Sequence, residues 1–396
     1  MGRHNAPVLV PALASLALLG APSDAARPVR ARDLGVPFAF GQPGRWNAIT
    51  DVAGVAVGHV TLVEGDAVRT GVTAVLPRGT GEPATRPCFG AVFELNGNGE
   101  MTGTAWVRES GLVEGPILLT NTNSVGVVRD AVIAYAARRW PPRPDGDWTI
   151  WSLPIVAETW DGTLNDIYAP QVRAEHVFSA LDGALSGPVP EGSVGGGTGM
   201  ITYGFKGGIG TASRVLPAGD GGYTVGVLVQ ANHGRRHQLL VAGIPVGQEI
   251  TEAAPPGAEM GSIIGLVATD APLLPHQAAR LARRAALGMA RTGGVAGNGS
   301  GDLFLAFSTA NSRAGESSDA ASVTMWPNDR MDPLFEATVG ATEEAIVNAL
   351  VAARPMTGFR GRSVPALPHD RLREILRRHG RLGEASPRSR PYNPPR

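Results

Sequence analysis

The stretch MGSIIGLVATD, residues 260–270, is the most informative part of this sequence. It ends a long segment rich in Gly, Pro and Glu, residues 247–261, which has neither helical nor strand periodicity. Loops of that length are uncommon in compact domains and are usually functional or processed. After Ser262 the residues are almost all apolar, which predicts a buried strand. A linker without regular structure is therefore predicted to run directly into a Gly-Ser pair that opens a strand.

The bond between Gly261 and Ser262 has the layout of a self-cleaving precursor. Gly261 has no side chain to shield its carbonyl, so the Ser262 hydroxyl is able to attack it and shift the acyl group from nitrogen to oxygen. Water then hydrolyses the ester, and the new chain begins at Ser262. Its free α-amine, with an ordinary pKa of about 7.7–8.0, can act as the general base for its own hydroxyl. The alternative, which the chemistry alone leaves open, is that Gly261 and Ser262 form an ordinary junction between a loop and a strand and are not cleaved.

The composition excludes several classes of protein. Of the 396 residues, 43% are apolar and 18% are charged, and 35 basic residues balance 35 acidic ones. This excludes a disordered charged chain and gives no reason to expect a nucleic-acid partner. Cys88 is the one cysteine, which excludes an internal disulfide and any cysteine-based metal site. The 53 dispersed glycines predict an α/β protein with many loops and tight turns.

The N-terminus has the features of an export signal. Residues 5–23 carry no charge, Arg3 precedes an apolar run, and small residues follow it where a signal peptidase cleaves. Residues 1–25 are therefore predicted to be a signal peptide of a periplasmic or secreted protein. A disordered apolar tail or an incorrect start site is the alternative. No other stretch approaches the roughly 20 apolar residues of a spanning helix, so no membrane contact is expected after the signal is removed.

Predicted strands and helices alternate along the whole chain. Short β-rich segments predict strands at Val52–Val60, Val72–Leu76, Cys88–Leu95 and Thr149–Pro154, and a hairpin from Gly207–Val215 and Tyr223–Ala231. Apolar residues at helical spacing predict helices at Val125–Arg139, Pro275–Arg291 and Leu334–Ala353. Residues 141–147 read as a surface loop, and the chain from Arg373 onward reads as a basic, proline-rich tail in solvent.

Several cofactor and catalytic motifs are not satisfied. The glycines at 195–199 lack dinucleotide spacing, and no Gly-Lys-Ser/Thr follows a glycine-rich loop. The eight histidines include no His-Glu-x-x-His pair, and Gly299-Ser300-Gly301 has the wrong spacing for a nucleophile elbow. The sequence therefore predicts neither a cofactor nor a metal.

Several blocks resemble the L-aminopeptidase/D-esterase family, which includes the β-peptidyl aminopeptidases. Beside residues 260–276, they are RWNAITDVAGVAVGH at 45–59, RTGVT at 69–73, NTNSVG at 121–126, AETWDG at 157–162, the glycine-rich block at 195–214 and RTGGVAGNGSGDLFLAFSTAN at 291–311. The resemblance covers about residues 32–362. It implies a four-layer αββα fold, shared with ornithine acetyltransferases and analogous to N-terminal-nucleophile hydrolases. It also implies cleavage into residues 26–261 (α chain) and 262–396 (β chain), which together form one domain, and a homo-oligomer of αβ pairs, a tetramer.

The resemblance carries catalytic roles onto three residues of the downstream chain. Ser262 matches the nucleophile, and Ser300 and Asp302 match a second serine and an acidic residue. The family often has Glu at the acidic position, so the shorter Asp302 leaves its hydrogen-bond role open. Physically, a carboxylate beside the Ser262 α-amine would orient it and hold its pKa up. Without the resemblance, residues 299–302 would read as a tight turn.

The resemblance also assigns residues of the upstream chain. Glu158 matches the carboxylate that receives the free ammonium of the substrate. An aminopeptidase needs such a group, because a buried ammonium is costly unless it is paired. Asn232 matches the asparagine of the oxyanion hole, whose amide donates to the developing negative oxygen. Tyr168 is a second candidate for that hole. The alternatives are a Glu at a strand end in solvent and, for Asn232 and Tyr168, packed turn residues.

The sequence predicts an exported, self-processing serine aminopeptidase acting on small peptides, amides or esters with a free amine. Preference for L-, D- or β-amino residues depends on the shape of the pocket and stays open. An acetyltransferase of the ornithine type is the alternative enzyme, but it uses threonine as nucleophile where this chain has Ser262. A non-catalytic periplasmic binding module with an intact chain is the alternative outside enzymes.

Overall fold

A computed structural model describes residues 29–80, 86–146, 153–251, 261–313, 315 and 320–383. Its strands are β1 (Ala56–Glu64), β2 (Val68–Leu76), β3 (Cys88–Gly97), β4 (Leu112–Val113), β5 (Ile117–Asn121), β6 (Ile155–Thr159), β7 (Ile201–Thr202), β8 (Phe205–Lys206), β9 (Gly208–Val215), β10 (Thr224–Asn232), β11 (Ser262–Thr269), β12 (Gly301–Ser308), β13 (Met356–Thr357) and β14 (Ser363–Val364). Its α-helices are α1 (Thr104–Ser110), α2 (Val125–Arg139), α3 (Ala174–Asp182), α4 (Val246–Glu249), α5 (Pro275–Arg291), α6 (Asp332–Ala352) and α7 (His369–Arg378). The predicted signal peptide and most of the linker before Ser262 lie outside the described residues.

Two sheets form the centre of the molecule. One has four strands in the order β1-β2-β5-β6, and the other has six in the order β4-β3-β12-β11-β10-β9. The pairs β5–β6 and β11–β12 are parallel, and the other neighbours in these two sheets are antiparallel. β11, which begins at Ser262, and β12, which follows it, lie between β3 and β10, which precede Ser262 in the chain. The two sides of the Gly261–Ser262 bond therefore contribute strands to the same sheet.

Alternation along β11 shows how the layers stack. Ile264, Leu266 and Ala268 belong to an apolar cluster between the two sheets, whereas Ile263 and Val267 belong to a cluster shared with α5 and α6. A third cluster lies between the four-stranded sheet and α2 and α3. Side chains of successive strand residues point to opposite faces, so β11 is covered on both sides. The order of layers is helix, sheet, sheet, helix, which confirms the predicted four-layer αββα fold.

The helices agree closely with the sequence prediction. α2 and α5 have the predicted bounds, and α6 differs from its prediction by two residues at its start and one at its end. α6 differs in character, because every residue from Gly340 to Ala352 is buried rather than one face alone. It packs against β9, β10 and α5, so little of its circumference is left to solvent. In the described ranges, every helix is too short or too polar to cross a membrane.

Two strand predictions are wrong at their starts. The strand predicted at Val72–Leu76 is β2, which begins four residues earlier than predicted, at Val68. The segment predicted at Val52–Val60 begins four residues later, at Ala56, because the Asp51 carboxylate accepts hydrogen bonds from the backbone N–H groups of Trp46 and Ala48 and closes a turn there. The strand predicted at Thr149–Pro154 falls mostly on residues 147–152, which lie outside the described part; its last two residues precede β6, which starts at Ile155. The predicted hairpin is confirmed as β9 and β10, and all nine residues of β10 are buried.

The tail predicted from Arg373 onward is wrong for the residues that the structure describes there. Residues His369–Arg378 form helix α7, in which Leu372, Ile375 and Leu376 are fully buried against the helical side of the six-stranded sheet. The three apolar residues fall on one helical face, whereas Arg377 and Arg378 are exposed. Residues 384–396 lie outside the described part.

Candidate active site

Ser262 is the first residue of the buried strand β11. It is 5% exposed, and its Oγ accepts a hydrogen bond from the backbone N–H of Gly301 at 3.2 Å. By the alternation of β11 it lies on the same face as Ile264, towards the space between the two sheets. The hydroxyl is therefore enclosed and held next to the start of β12.

Asn232 is the register partner of Ser262 on the neighbouring strand β10. Its Oδ1 accepts a hydrogen bond from the backbone N–H of Ile201 at 2.7 Å, and its Nδ2 donates to the carbonyl of Trp160 at 2.8 Å. These two contacts determine which way the amide faces. Nδ2 carries two hydrogens, so one remains to donate to a further acceptor. Antiparallel pairing thus brings the predicted oxyanion donor beside the predicted nucleophile.

Gly261 packs against the backbone of Asn232. A Cβ placed on Gly261 would lie 1.6 Å from the Asn232 carbonyl oxygen, a distance that no side chain tolerates. Glycine at this position allows the two backbones to approach closely. Gly261, whose carbonyl Ser262 is predicted to attack, is therefore held against the backbone of Asn232.

Ser300 and Asp302 lie at the start of β12, and both are fully buried. The Ser300 hydroxyl donates to Asp302 Oδ1 at 2.7 Å. Asp302 is the register partner of Ile263, the residue after Ser262, so the parallel pairing of β11 with β12 brings this turn to the nucleophile. The backbone of this turn therefore lies next to Ser262, through Gly301, and the catalytic roles of Ser300 and Asp302 stay predictions.

Two asparagines that the sequence analysis did not single out hold this turn, one at the end of β3 and one just after it. Asn96 Nδ2 donates to the carbonyls of Gly297 and Ser300 at 2.8 and 2.6 Å, and Asn98 Nδ2 donates to the carbonyl of Gly299 at 3.0 Å. The alternation of Asn and Gly at residues 96–99 was the one available signal, because asparagine amides commonly satisfy backbone groups in turns.

Glu158 lies in β6 of the opposite sheet and is 3% exposed. Its Oε1 accepts from the backbone N–H of Glu100 at 3.0 Å, and its Oε2 accepts from the Thr122 hydroxyl. Burial raises the pKa of Glu158, although both hydrogen bonds act to lower it and the Glu100 carboxylate raises it further. A Cβ on Gly99 would lie 3.5 Å from Glu158 Oε1 and 3.2 Å from the Gly301 Cα. The backbone of Gly99 therefore lies between the Glu158 carboxylate and Gly301, the first residue of β12.

Tyr168 lies outside this buried cluster. Its side chain is 89% exposed, in a surface segment after β6. Its position does not support a place in an oxyanion hole within the chain, because such donors act from a site that excludes water. A role for Tyr168 stays a prediction that rests on the resemblance alone.

A buried lysine lies behind Asn232. Lys206 is fully buried, and its Nζ donates to the carbonyls of Met200, Gly207 and Gly197 at 2.6, 3.0 and 3.5 Å. Burial lowers the pKa of Lys206 to about 7, and the nearby Asp161 carboxylate acts to raise it. Burial likewise raises the pKa of Asp161 to about 7, against hydrogen bonds that lower it. Sequence reasoning missed this pair, because one lysine in a glycine-rich block carries no motif.

His233 follows Asn232 in the chain and is fully buried. Burial lowers the pKa of His233, the residue after Asn232, to about 3, and its ring packs edge-on against Tyr203 with the centroids 5.0 Å apart. His233 is therefore neutral at ordinary pH. Across the part of the chain that is described, no three His, Cys, Asp or Glu side chains gather as metal ligands would.

A four-layer αββα sandwich in which a buried serine begins a central strand has the architecture of the N-terminal-nucleophile hydrolases. The sequence profile of peptidase family S58 matches residues 47–364. The chain therefore belongs to peptidase family S58, a family of aminopeptidases. This confirms the resemblance found in the sequence.

Individual relatives agree with this membership. The chain is 51% identical to the β-peptidyl aminopeptidase BapA of Sphingosinicella microcystinivorans, over 94% of this chain and 98% of that protein. Among solved structures, it is similar to a β-aminopeptidase of a Burkholderia species, with a TM-score of 0.82 and 50% identity. It is also similar to the L-aminopeptidase D-Ala-esterase/amidase of Ochrobactrum anthropi, a variant of the Ntn-hydrolase fold, with a TM-score of 0.84 and 48% identity. Each of these comparisons covers 89% of this chain and 99% of the solved chain.

Proposed function

We propose that this protein is a self-processing serine aminopeptidase that releases N-terminal residues from small peptides, amides or esters. One observation carries the proposal: Ser262 follows a glycine packed against Asn232, and its hydroxyl lies enclosed between Asn232 and the Ser300–Asp302 turn. A nucleophile and an amide donor for the oxyanion are groups that acyl transfer uses, and a carboxylate is able to stabilise the protonated base.

Processing uses the same serine that later acts on substrates. Ser262 Oγ forms a bond to the Gly261 carbonyl carbon, the C–N bond breaks, and the nitrogen takes up the proton as the α-amine of Ser262. Water then hydrolyses the ester to give the Gly261 carboxylate and the free hydroxyl. The new α-amine is the general base, and Asp302, held by Ser300, stabilises its protonated form.

Substrate hydrolysis follows from the same geometry. Glu158 binds the free ammonium of the substrate, Ser262 attacks the scissile carbonyl, and the remaining Asn232 N–H donates to the oxygen as it becomes negative. The α-amine of Ser262 returns its proton to the leaving group, and water releases the acyl group. Relatives named for β-peptidyl and for L- and D-residue substrates are about equally similar, so the proposal covers all three kinds.

Export and assembly are parts of the proposal that rest on the sequence. We propose that residues 1–25 direct export to the periplasm or the medium and are removed. We further propose that the processed αβ pairs associate as a homo-oligomer, as the resemblance implies.

The experiment that tests this proposal is intact-mass measurement of the purified wild-type protein, followed by an assay with an amino-acid amide. We expect two chains, one ending at Gly261 and one running from Ser262 to Arg396, because the hydroxyl and the carbonyl are adjacent. A single uncut chain that hydrolyses the amide at full rate would contradict the mechanism.

Glu158→Gln is expected to weaken recognition of the free amine. In wild type, acetylating the amine of the substrate removes its charge, so kcat/KM should collapse. Loss of a desolvated, charge-assisted hydrogen bond costs about 1.5–3 kcal/mol, so the variant should lose about 10- to 150-fold in kcat/KM on the free amine. The discrimination against the acetylated substrate should shrink by the same factor.

The pH dependence provides a second readout for Glu158. Its pKa is raised, so the carboxylate that binds the ammonium is present above that pKa and is lost as the pH falls through it. The acidic fall in wild-type kcat/KM should therefore have a part that comes from Glu158 and lies above the range of an ordinary glutamate. That part should be absent in Glu158→Gln, whereas the part that comes from protonation of the Ser262 α-amine should remain. The exposed Glu336 on α6 offers the matched control, Glu336→Gln, which removes one charge on the far side of the six-stranded sheet. Equal discrimination in wild type and Glu158→Gln would show that another group binds the amine.

A further inference from the structure

We propose that Lys206 strengthens Asn232 as a hydrogen-bond donor to the developing oxyanion, acting through the peptide group between Met200 and Ile201. The inference rests on the proposed function, in which Asn232 donates to that oxygen. Lys206 acts through Asn232 and not on the substrate itself, so it is a positioning and polarising residue.

A single peptide group connects the two side chains. Its carbonyl, on Met200, accepts from Lys206 Nζ at 2.6 Å, and its N–H, on Ile201, donates to Asn232 Oδ1 at 2.7 Å. Asn232 Nδ2 in turn faces Trp160 and the space beside Ser262. The ammonium, the peptide and the side-chain amide are thus aligned head to tail, with their donors pointing towards the nucleophile.

Such an alignment makes the last donor stronger. Each hydrogen bond in a chain polarises the next, and burial increases the effect because the local dielectric is low. Lys206 is fully buried and Asn232 is 4% exposed. At pH values below its pKa of about 7, Lys206 is an ammonium. It then draws electron density from the peptide oxygen, which makes the Ile201 N–H a better donor and the Asn232 N–H groups more positive. The benefit is largest when the acceptor is an oxyanion rather than a neutral carbonyl.

The surroundings of Lys206 suit an ammonium. Three backbone carbonyls, those of Met200, Gly207 and Gly197, face Nζ, which matches the three N–H donors of the charged form. A neutral amine has two hydrogens and would turn its lone pair towards one of these carbonyl oxygens. The Asp161 carboxylate supplies the opposite charge in the same buried region.

A purely structural role is the competing explanation. Lys206 also ties the loop before β7 to β8, so its loss would loosen the loop whether or not its charge matters. Thr202 offers a matched control, because it is buried in the same hairpin and its hydroxyl donates to the Ala231 carbonyl at 2.7 Å. Thr202→Val removes that bond without touching the chain of groups from Lys206 to Asn232.

The test is a double-mutant cycle between Lys206 and Asn232, with rates normalised to the fraction of chains that begin at Ser262. Lys206→Met and Lys206→Gln are each compared with wild type and then combined with Asn232→Ala. Gln keeps a donor for the loop but removes the charge. We expect each single variant to lower kcat about 10-fold with KM unchanged, as a fraction of what a whole oxyanion donor contributes. In the Asn232→Ala background the same changes should lower kcat by less than about twofold.

Two further variants keep the test decisive if Lys206→Met folds poorly. Lys206→Arg restores a charge and should recover more activity than Lys206→Gln, whereas Thr202→Val should lower the melting temperature without changing kcat. Equal losses in the wild-type and Asn232→Ala backgrounds, or a Thr202→Val loss as large as that of Lys206→Gln, would overturn the inference. Failure of the proposed function is distinguishable, because wild type itself would then be uncut or inactive.

Discussion

Ser262→Ala is expected to remain one continuous chain with no measurable aminopeptidase activity. The substitution removes both the hydroxyl that attacks Gly261 and the nucleophile for substrates, so processing and hydrolysis are lost together. Removing the nucleophile of a serine hydrolase lowers kcat by about 10⁴-fold or more, the largest effect expected of any single change here. Intact mass and amide hydrolysis measure the two losses on the same sample.

Ser308→Ala is the matched control for this experiment. Ser308 is the last residue of β12, is fully buried, and donates its hydroxyl to the Ala271 carbonyl at 2.6 Å, away from the start of the strand. Its removal should lower stability by about 1–3 kcal/mol while leaving the two chains and the rate per processed chain intact. Cleavage of the Ser262→Ala chain at the same bond would show that another group performs the processing.

Asn232→Ala has the second largest expected effect. Loss of one oxyanion donor lowers kcat by about 10²- to 10³-fold in serine hydrolases, because the donor acts on charge that appears only in the transition state. We therefore expect kcat per processed chain to fall by that factor while KM changes little. The binding of an amino-acid aldehyde, which forms a tetrahedral adduct, should weaken in parallel with kcat.

A second buried asparagine is the control for packing effects. Asn348 on α6 is fully buried, and its Nδ2 donates to the Thr211 carbonyl at 3.0 Å on the helical side of the six-stranded sheet. Asn348→Ala should lower the melting temperature without lowering kcat. A rise in KM with kcat unchanged in Asn232→Ala would assign Asn232 to substrate binding rather than to the oxyanion.

The elements that local patterns predicted well are those with strong periodicity or a complete apolar run. α2, α5 and the hairpin of β9 and β10 lie within one or two residues of their predictions, because their core contacts follow the helical or strand period. α7 was missed because its three apolar residues stand among arginines, so that the sequence resembles a charged tail. Only the tertiary structure shows that these three residues pack into the core. The start of β1 was misplaced because one side-chain carboxylate, that of Asp51, holds the preceding turn.

The sequence by itself determined the αββα class and the candidates Ser262, Ser300, Asp302, Asn232 and Glu158, through the Gly-Ser junction and the ordered blocks of family resemblance. The tertiary structure decided which groups surround them. Asn96 and Asn98 hold a turn about 200 residues further along the chain, and Lys206 reaches Asn232 through one peptide group. These contacts depend on the register of β10, β11 and β12 and on how the two sheets face each other. Local periodicity reports which residues are buried, but it contains no information about which distant backbone a buried polar group meets.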